Sequence, residues 1–188
     1  MRLSVVCYLD EESTLNVRRI QKNLSDLTGA KASFNLWLPH VTVGNGVEVD
    51  EVEFIDLQNR LDALAGTTPS FDVDLYDILK IDFRKGGEGE ETTPYGLYLD
   101  VKTNQELLNL VSNVANISEN LRKWYFMPSP YHPHCALAFK DLTKKGYEVG
   151  SKYLDSQNIK IKSKITSVSI VEMLPNKTKE YARFNFTQ

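Results

Sequence analysis

Two short stretches of this 188-residue chain share one pattern: LPHVTV at positions 38–43 and YHPHCAL at positions 131–137. In each stretch a histidine, His40 or His134, follows a proline and leads a run of apolar, strand-forming residues. Side chains alternate between the two faces of a strand. Each histidine therefore shares its face with the residue two positions later and turns the intervening residue towards the opposite layer.

Outward from these motifs, hydrophobic periodicity predicts the order strand, helix, strand, helix, strand, strand, helix, strand, helix, strand, strand. The second half repeats the first in outline. Residues 34–43 are predicted to be extended with a break at Pro39, and residues 165–173 to form one strand. Ser13 or Thr14 is predicted to cap the first helix. Residues 86–93, rich in glycine and glutamate, are expected to form the tip of a long hairpin.

The composition is that of an ordinary globular protein, with 41% hydrophobic residues, 25% charged residues and a net charge of −3. One domain over residues 1–188 is expected. An acidic chain lacks the basic surface that long duplex nucleic acid requires. Cys7 and Cys135 lie in apolar runs and are expected to be buried free thiols. The apolar run at 3–9 is too short for a signal peptide or a membrane helix, so a cytoplasmic protein without membrane contact is expected.

The motifs and the repeated outline resemble the two-histidine phosphoesterases, a group that includes bacterial 2'-5' RNA ligases and cyclic phosphodiesterases. Their motifs have the form His-x-Thr/Ser followed by an apolar residue and lie about half a chain apart, as they do here from His40 and His134. The resemblance implies an α+β fold of two similar lobes around a central cleft. Each lobe would be an antiparallel sheet with outer helices, and a pseudo-two-fold axis would relate them. A single ferredoxin-like sheet is the alternative architecture.

The resemblance also implies a metal-independent phosphodiesterase that acts on 2',3'-cyclic phosphate nucleotides or RNA ends and needs no cofactor. His40 and His134 would be the general acid and base, because imidazole titrates near neutrality. Thr42 would donate a hydrogen bond to a phosphate oxygen. The expected ligand is a small nucleotide or an RNA 3'-end, bound by a monomer.

Ala136 departs from the family pattern, because it occupies the phosphate-binding position where the second motif has Thr or Ser. One charge-assisted hydrogen bond is worth roughly 1.5–3 kcal/mol, so its loss weakens an enzyme without removing the histidine pair. The same departure favours a second hypothesis, a non-catalytic module that binds a nucleotide or an RNA end. Ser129, Tyr131 or His132 are the candidates for a substitute donor.

Further roles are open to the residues around the motifs. His132 and His134 stand two positions apart, a spacing that can place two metal ligands on one face of a strand. A metal-dependent hydrolase is therefore a third hypothesis, weakened by Pro133 between them, and no metal site is predicted. Tyr131 and Phe34 are candidates for substrate contact by stacking on a base. Three cations are candidates for facing the phosphate: Arg84, Lys85 and Arg183.

Overall fold

A computed structural model describes residues 1–82, 95–124 and 131–188, and in these ranges the strands form two sheets in which all neighbouring strands are antiparallel. The first sheet contains, in spatial order, β5 (Arg122–Lys123), β2 (His40–Glu48), β1 (Arg2–Tyr8), β8 (Ser167–Leu174) and β9 (Lys177–Asn185). The second contains β6 (His134–Ala138), β4 (Tyr95–Val101), β3 (Phe71–Asp82) and β7 (Lys160–Ile165). Two separate sheets exclude the single ferredoxin-like sheet. The predicted hairpin tip at 86–93 lies outside the described residues, as do Arg84, Lys85 and Ser129.

The helices in the described ranges are α1 (Glu11–Thr28), α2 (Ala32–Leu36), α3 (Glu51–Ala65), α4 (Gln105–Ile117) and α5 (Lys144–Asp155). Each long helix begins after a side chain that accepts a backbone N–H of the first turn; these caps are Asp10, Asp50, Asn104 and Thr143. The predicted cap at Ser13 or Thr14 is wrong, because Asp10 accepts the Ser13 N–H and the helix begins earlier.

The two sheets are organised alike. Without the two-residue β5, the strand orders β2-β1-β8-β9 and β6-β4-β3-β7 correspond strand for strand. The motif strands β2 and β6 occupy equivalent places, next to β1 and β4 respectively. The predicted α+β fold of two similar lobes is therefore confirmed.

Two of the long helices each follow a strand of one sheet but pack mainly against the other sheet. Helix α1 follows β1 of the first sheet but packs against β6, β7 and α5. Helix α4 follows β4 of the second sheet but packs against β2 and α3. Each sheet is thus covered on its outer side partly by a helix whose preceding strand belongs to the other sheet.

Two predicted extended segments are interrupted. In residues 34–43 the strand begins at His40, directly after the predicted break at Pro39, but the part before the break is not extended, because α2 occupies Ala32–Leu36. The Arg18 guanidinium lies over the Phe34 ring and donates to the Phe34 carbonyl, which anchors this short helix to α1. Residues 165–173 belong to two strands, because the chain passes at Thr166 from β7 in the second sheet to β8 in the first.

Both cysteines are free and buried, as predicted. Burial raises the pKa of the Cys7 thiol and raises that of Cys135 to about 12, so both thiols are protonated at neutral pH. Among the described residues, no helix has the length and apolar character needed to cross a membrane.

Candidate active site

The two motif strands begin at one cleft. His40, Thr42, His134 and Ala136 all line a single cavity of about 1520 Å³. Strand alternation holds as predicted, because the intervening residues Val41 and Cys135 are 1% and 0% exposed in the layer behind. The two motif strands are also in direct contact with each other.

Both histidine rings are held by the same kind of bond. The Nδ1 atom of His40 lies 2.7 Å from the Leu38 carbonyl oxygen, and Nδ1 of His134 lies 3.0 Å from the His132 carbonyl oxygen. A carbonyl oxygen can only accept a hydrogen bond, so Nδ1 carries the proton in each ring. This leaves Nε2 of both rings as the nitrogen that can exchange a proton with a ligand.

The pKa of each histidine is lowered from its ordinary value. For His40 the main cause is burial of the ring; the Leu38 carbonyl acts in the opposite direction, and the charge of His134 lowers the pKa further. For His134 burial again comes first, and the charge of the His132 ring also lowers its pKa; the hydrogen bond to the His132 carbonyl and the Asp100 carboxylate act in the opposite direction. Mutual repulsion disfavours two protonated rings, so the pair is best suited to hold one proton.

The residues opposite Thr42 and Ala136 differ in size. Thr42 is paired across the strands with Val6, whereas Ala136 is paired with Tyr98. The Tyr98 side chain is buried and its ring meets the His134 ring edge-on, with the ring centroids 4.7 Å apart. Tyr98 cannot be identified from the motifs, because the position of Tyr98 beside His134 depends on the register between β4 and β6.

The His132 ring is paired with a carboxylate. Its Nε2 atom lies 3.0 Å from Oδ1 of Asp100, and the second carboxylate oxygen of Asp100 lies 2.7 Å from Nζ of Lys102. In the three described ranges there is no group of three or more His, Cys, Asp or Glu side chains placed to hold a metal ion. The carboxylate partner of His132 lies 32 positions away in sequence, which is why the motif alone did not reveal it.

Two of the candidate substrate contacts have other partners. The Tyr131 hydroxyl donates to the Thr42 carbonyl oxygen at 2.8 Å, and so joins the approach to β6 with β2. Phe34 lies on α2 beneath Arg18, outside the residues that line the cavity. Arg183 forms a two-contact ion pair with Glu180 and lies over the Tyr8 ring.

An aromatic wall that the sequence analysis did not predict borders the same cavity. Trp37, Phe139 and Tyr98 all line it, and the Phe139 ring lies 6.3 Å from Trp37 and 5.8 Å from Tyr98 between ring centroids. The ammonium group of Lys140 lies 4.8 Å from the centre of the Trp37 ring. The Phe139 ring plane is tilted by 35° to that of Trp37 and by 46° to that of Tyr98. An aromatic wall with a cation at its rim offers single ring faces on which a nucleobase can stack.

No family model and no curated protein matches the sequence significantly. Solved structures match its fold. A protein of Thermus thermophilus has a TM-score of 0.67 at 17% identity, covering 99% of this chain and 98% of its own. E. coli LigT complexed with 3'-AMP has a TM-score of 0.62 at 14% identity, with 100% and 98% covered. The MHV ns2 PDE domain has a TM-score of 0.51 at 13% identity, with 86% and 89% covered.

These similarities extend over both lobes. At such identities the likeness concerns the fold. At the level of the fold, the expectation drawn from the motifs is confirmed: this chain has the two-lobed fold of E. coli LigT and the MHV ns2 PDE domain.

Proposed function

We propose that this protein is a metal-independent phosphodiesterase that acts on 2',3'-cyclic phosphate nucleotides or RNA ends, with His40 and His134 as general acid and base. The observation that carries the proposal is the matched pair of imidazoles. Both line one cavity, both have Nδ1 bonded to a main-chain carbonyl, and both have Nε2 available. Two such groups can transfer two protons at one phosphate.

The chemistry follows from that pair. One imidazole accepts a proton from water as its oxygen attacks phosphorus. The other imidazole donates a proton to the ribose oxygen as the phosphorus–oxygen bond of the cyclic ester breaks. One proton is taken up and one is released, so the pair ends with its original total charge, and the reaction needs no metal or cofactor.

The cleft offers contacts for the rest of a nucleotide. Thr42 lies on the face of β2 that carries His40, where its hydroxyl can donate to a phosphate oxygen. The wall of Trp37, Phe139 and Tyr98 offers a surface for the base. Structures of E. coli LigT with 3'-AMP, ATP, NADP+ and phosphate support a small nucleotide as the class of ligand.

Ala136 supports a second candidate function, a module that binds a nucleotide or an RNA end without turnover. At Ala136 the cleft lacks the hydroxyl that Thr42 provides in the other half. The Tyr131 hydroxyl, one candidate substitute, already donates to the Thr42 carbonyl. The binding hypothesis and the enzyme hypothesis use the same cleft and differ in whether product forms.

The test is incubation of the purified protein with 2',3'-cyclic nucleotides in the presence of EDTA, with the product isomer identified by chromatography. We expect hydrolysis that EDTA does not reduce. His40→Ala and His134→Ala should each lower kcat by about 10²–10⁴-fold, since each removes a proton-transfer group. Saturable binding of the nucleotide without turnover above the His40→Ala background would instead support the binding module. EDTA-sensitive activity that zinc restores would support a metal-dependent hydrolase.

Thr42 offers a matched pair of variants for the phosphate contact. Thr42→Val keeps the shape of the side chain and removes the hydroxyl, so kcat/KM should fall roughly 10-fold. Thr42→Ser keeps the hydroxyl and should retain most of the activity. Equal losses in the two variants would show that shape, and not the hydroxyl, is what Thr42 contributes.

A further inference from the structure

A line of polar contacts runs behind His134. The Asp100 side chain is largely buried, and its Oδ1 accepts a hydrogen bond from Nε2 of His132 at 3.0 Å. The carbonyl oxygen of His132 in turn accepts the Nδ1 proton of His134 at 3.0 Å. The Asp100 carboxylate thus holds the side chain of His132, and the main-chain carbonyl of the same His132 holds the candidate catalytic ring of His134.

The other half of the cleft is built differently. The carbonyl that holds His40 belongs to Leu38, whose side chain is apolar and 52% exposed. Asp100 is the cross-strand partner of His134, and the equivalent partner of His40 is Tyr8. The duplicated fold therefore holds the two histidines alike but, among residues 1–82, 95–124 and 131–188, pairs a carboxylate across the strands with His134 and a tyrosine with His40.

The charges around the two rings also differ. Near His134 the charged or titratable groups are Asp100, His132, His40 and Tyr98, and Asp100 is paired with Lys102, which also contacts Asp77 at 3.1 Å. Near His40 they are Tyr8, His134 and the Cys135 thiol. Beyond Tyr8 lies Arg183, paired with Glu180. A negative charge next to a ring favours its protonated form, and a positive charge disfavours it.

We propose that Asp100 and His132 are positioning residues that fix the ring of His134 with Nδ1 protonated, and that the Asp100 carboxylate biases the shared proton towards His134. This rests on the proposed function in one respect: in a phosphodiesterase the bias makes His134 the proton donor to the leaving oxygen and His40 the acceptor from water. Orientation of a catalytic imidazole by a group behind it is a common requirement of acid–base catalysis.

The first experiment measures the rings and needs no turnover. The chain has 3 histidines, so nitrogen NMR shifts can report the tautomer and titration midpoint of each, assigned by single His→Gln variants. In the unaltered protein His134 should be the Nδ1-protonated tautomer and should titrate above His40. Asp100→Asn should lower the His134 midpoint by about 1 pH unit and should change that of His40 less.

Two further variants keep this test decisive. Asp77→Asn removes the same charge and also loses a contact to Lys102, but it does not touch His132; the left-handed backbone at residue 77, with φ of 63°, tolerates asparagine. It should leave the His134 midpoint in place. His132→Ala keeps the carbonyl but removes the ring that ties this residue to Asp100. Because the carbonyl is then held less firmly against the His134 ring, the Nδ1-protonated tautomer of His134 should become less populated. Unchanged tautomer and midpoint in both Asp100→Asn and His132→Ala would overturn the proposal, as would equal shifts at both histidines.

The second experiment uses kinetics and separates the two proposals. If the unaltered protein turns over cyclic nucleotides, Asp100→Asn should lower kcat more than it changes KM. It should also move the high-pH limb of the rate profile to lower pH, because that limb reports the donor. A high-pH limb that stays in place would overturn the assignment of His134 as donor. A protein without any turnover would contradict the proposed function, and the NMR result would still decide whether Asp100 and His132 position His134.

Discussion

At the scale of single residues, the two halves of the cleft distribute side-chain volume differently. Thr42 is paired with Val6, and Ala136 is paired with Tyr98. A Cβ atom on Gly96 would lie 2.3 Å from the Tyr98 ring, so glycine at that position leaves room for the ring. A small Gly96 and a small Ala136 thus accompany a large Tyr98. The missing hydroxyl in the second motif is in this sense part of a coordinated change in packing.

The first prediction concerns the coupling between Ala136 and Tyr98. Ala136→Thr alone places a branched side chain next to the buried Tyr98 ring, and should raise kcat/KM little or lower it. In a Tyr98→Val background the pairing of Val6 with Thr42 is reproduced, so the same substitution should raise kcat/KM roughly 10-fold. The measurement is kcat/KM for the four proteins of this double-mutant cycle. An equal effect of Ala136→Thr in both backgrounds would show that Tyr98 does not limit this position.

Single-residue positions can be predicted from the sequence where they depend only on the alternation of side chains along one strand. This alternation places Thr42 and Ala136 on the cleft face and buries Val41 and Cys135. It does not find Tyr98 or Asp100, since cross-strand register between distant segments brings these residues to the site.

At the scale of secondary-structure elements, Asp10 does more than cap α1. Its Oδ1 accepts the Ser13 N–H at 2.8 Å, as a helix cap does. Its Oδ2 accepts the Lys164 N–H at 2.7 Å and the Ser163 hydroxyl at 3.0 Å. Residues 163 and 164 belong to β7 of the second sheet, whereas Asp10 follows shortly after the end of β1 in the first. One carboxylate therefore connects the two sheets.

The second prediction is that Asp10→Ala lowers the free energy of unfolding by about 2–3 kcal/mol at pH 7, from a lost cap and lost charge-assisted hydrogen bonds. Asp50→Ala is the matched control. Asp50 caps α3 through a capping box with Glu53 alone, so its loss should cost about 1 kcal/mol. The measurement is urea unfolding of both variants. Equal losses would show that the contacts of Asp10 with β7 contribute nothing to stability.

The contribution of Asp10 should also depend on pH. Burial alone would raise the pKa of Asp10, but the hydrogen bonds from Ser13, Lys164 and Ser163 hold it below its ordinary value of 3.8. A carboxyl group whose pKa is lowered by folding stabilises the folded state above its unfolded pKa. That stabilisation is lost as the pH falls through the lowered value. The difference in stability between the unaltered protein and Asp10→Ala should therefore shrink below about pH 4.

The elements that sequence reasoning misplaces are those that tertiary contacts decide. Helix α2 is five residues long, too short to be stable by itself, and it is anchored by Arg18 from another helix. In β7, lysines alternate with isoleucine and serine, so this segment lacks an apolar run typical of a strand, and its place in the second sheet depends on pairing with the distant β3. The change of sheet at Thr166 likewise has no signal in the sequence. The long helices, with strong caps and periodic apolar faces, are predicted correctly.

At the scale of the whole molecule, the two lobes are interlocked. Helix α1 begins after a strand of the first sheet and packs on the second, and α4 does the reverse. The final strands β8 and β9 return to the first sheet after β7 has completed the second. Neither sheet with its covering helices corresponds to one continuous stretch of sequence. We therefore expect the chain to unfold as one unit in spite of its two-lobed shape.

The third prediction tests whether the two lobes unfold together, with the 2 tryptophans of the chain as fluorescent reporters. Trp37 packs on Phe139 next to the second sheet, and the indole N–H of Trp124 lies 3.3 Å from the Leu3 carbonyl oxygen in the first. Trp37→Phe leaves a reporter in the first lobe, and Trp124→Phe leaves one in the second. Each variant should unfold in urea with fluorescence and circular dichroism curves that coincide, and with the same m-value as the other. Because the substitutions themselves alter stability, the comparison is made within each variant, between its fluorescence and its circular dichroism. The lobes unfold separately if the fluorescence transition comes before the loss of circular dichroism in one variant and after it in the other. In that case the single-domain assignment of residues 1–188 would be wrong.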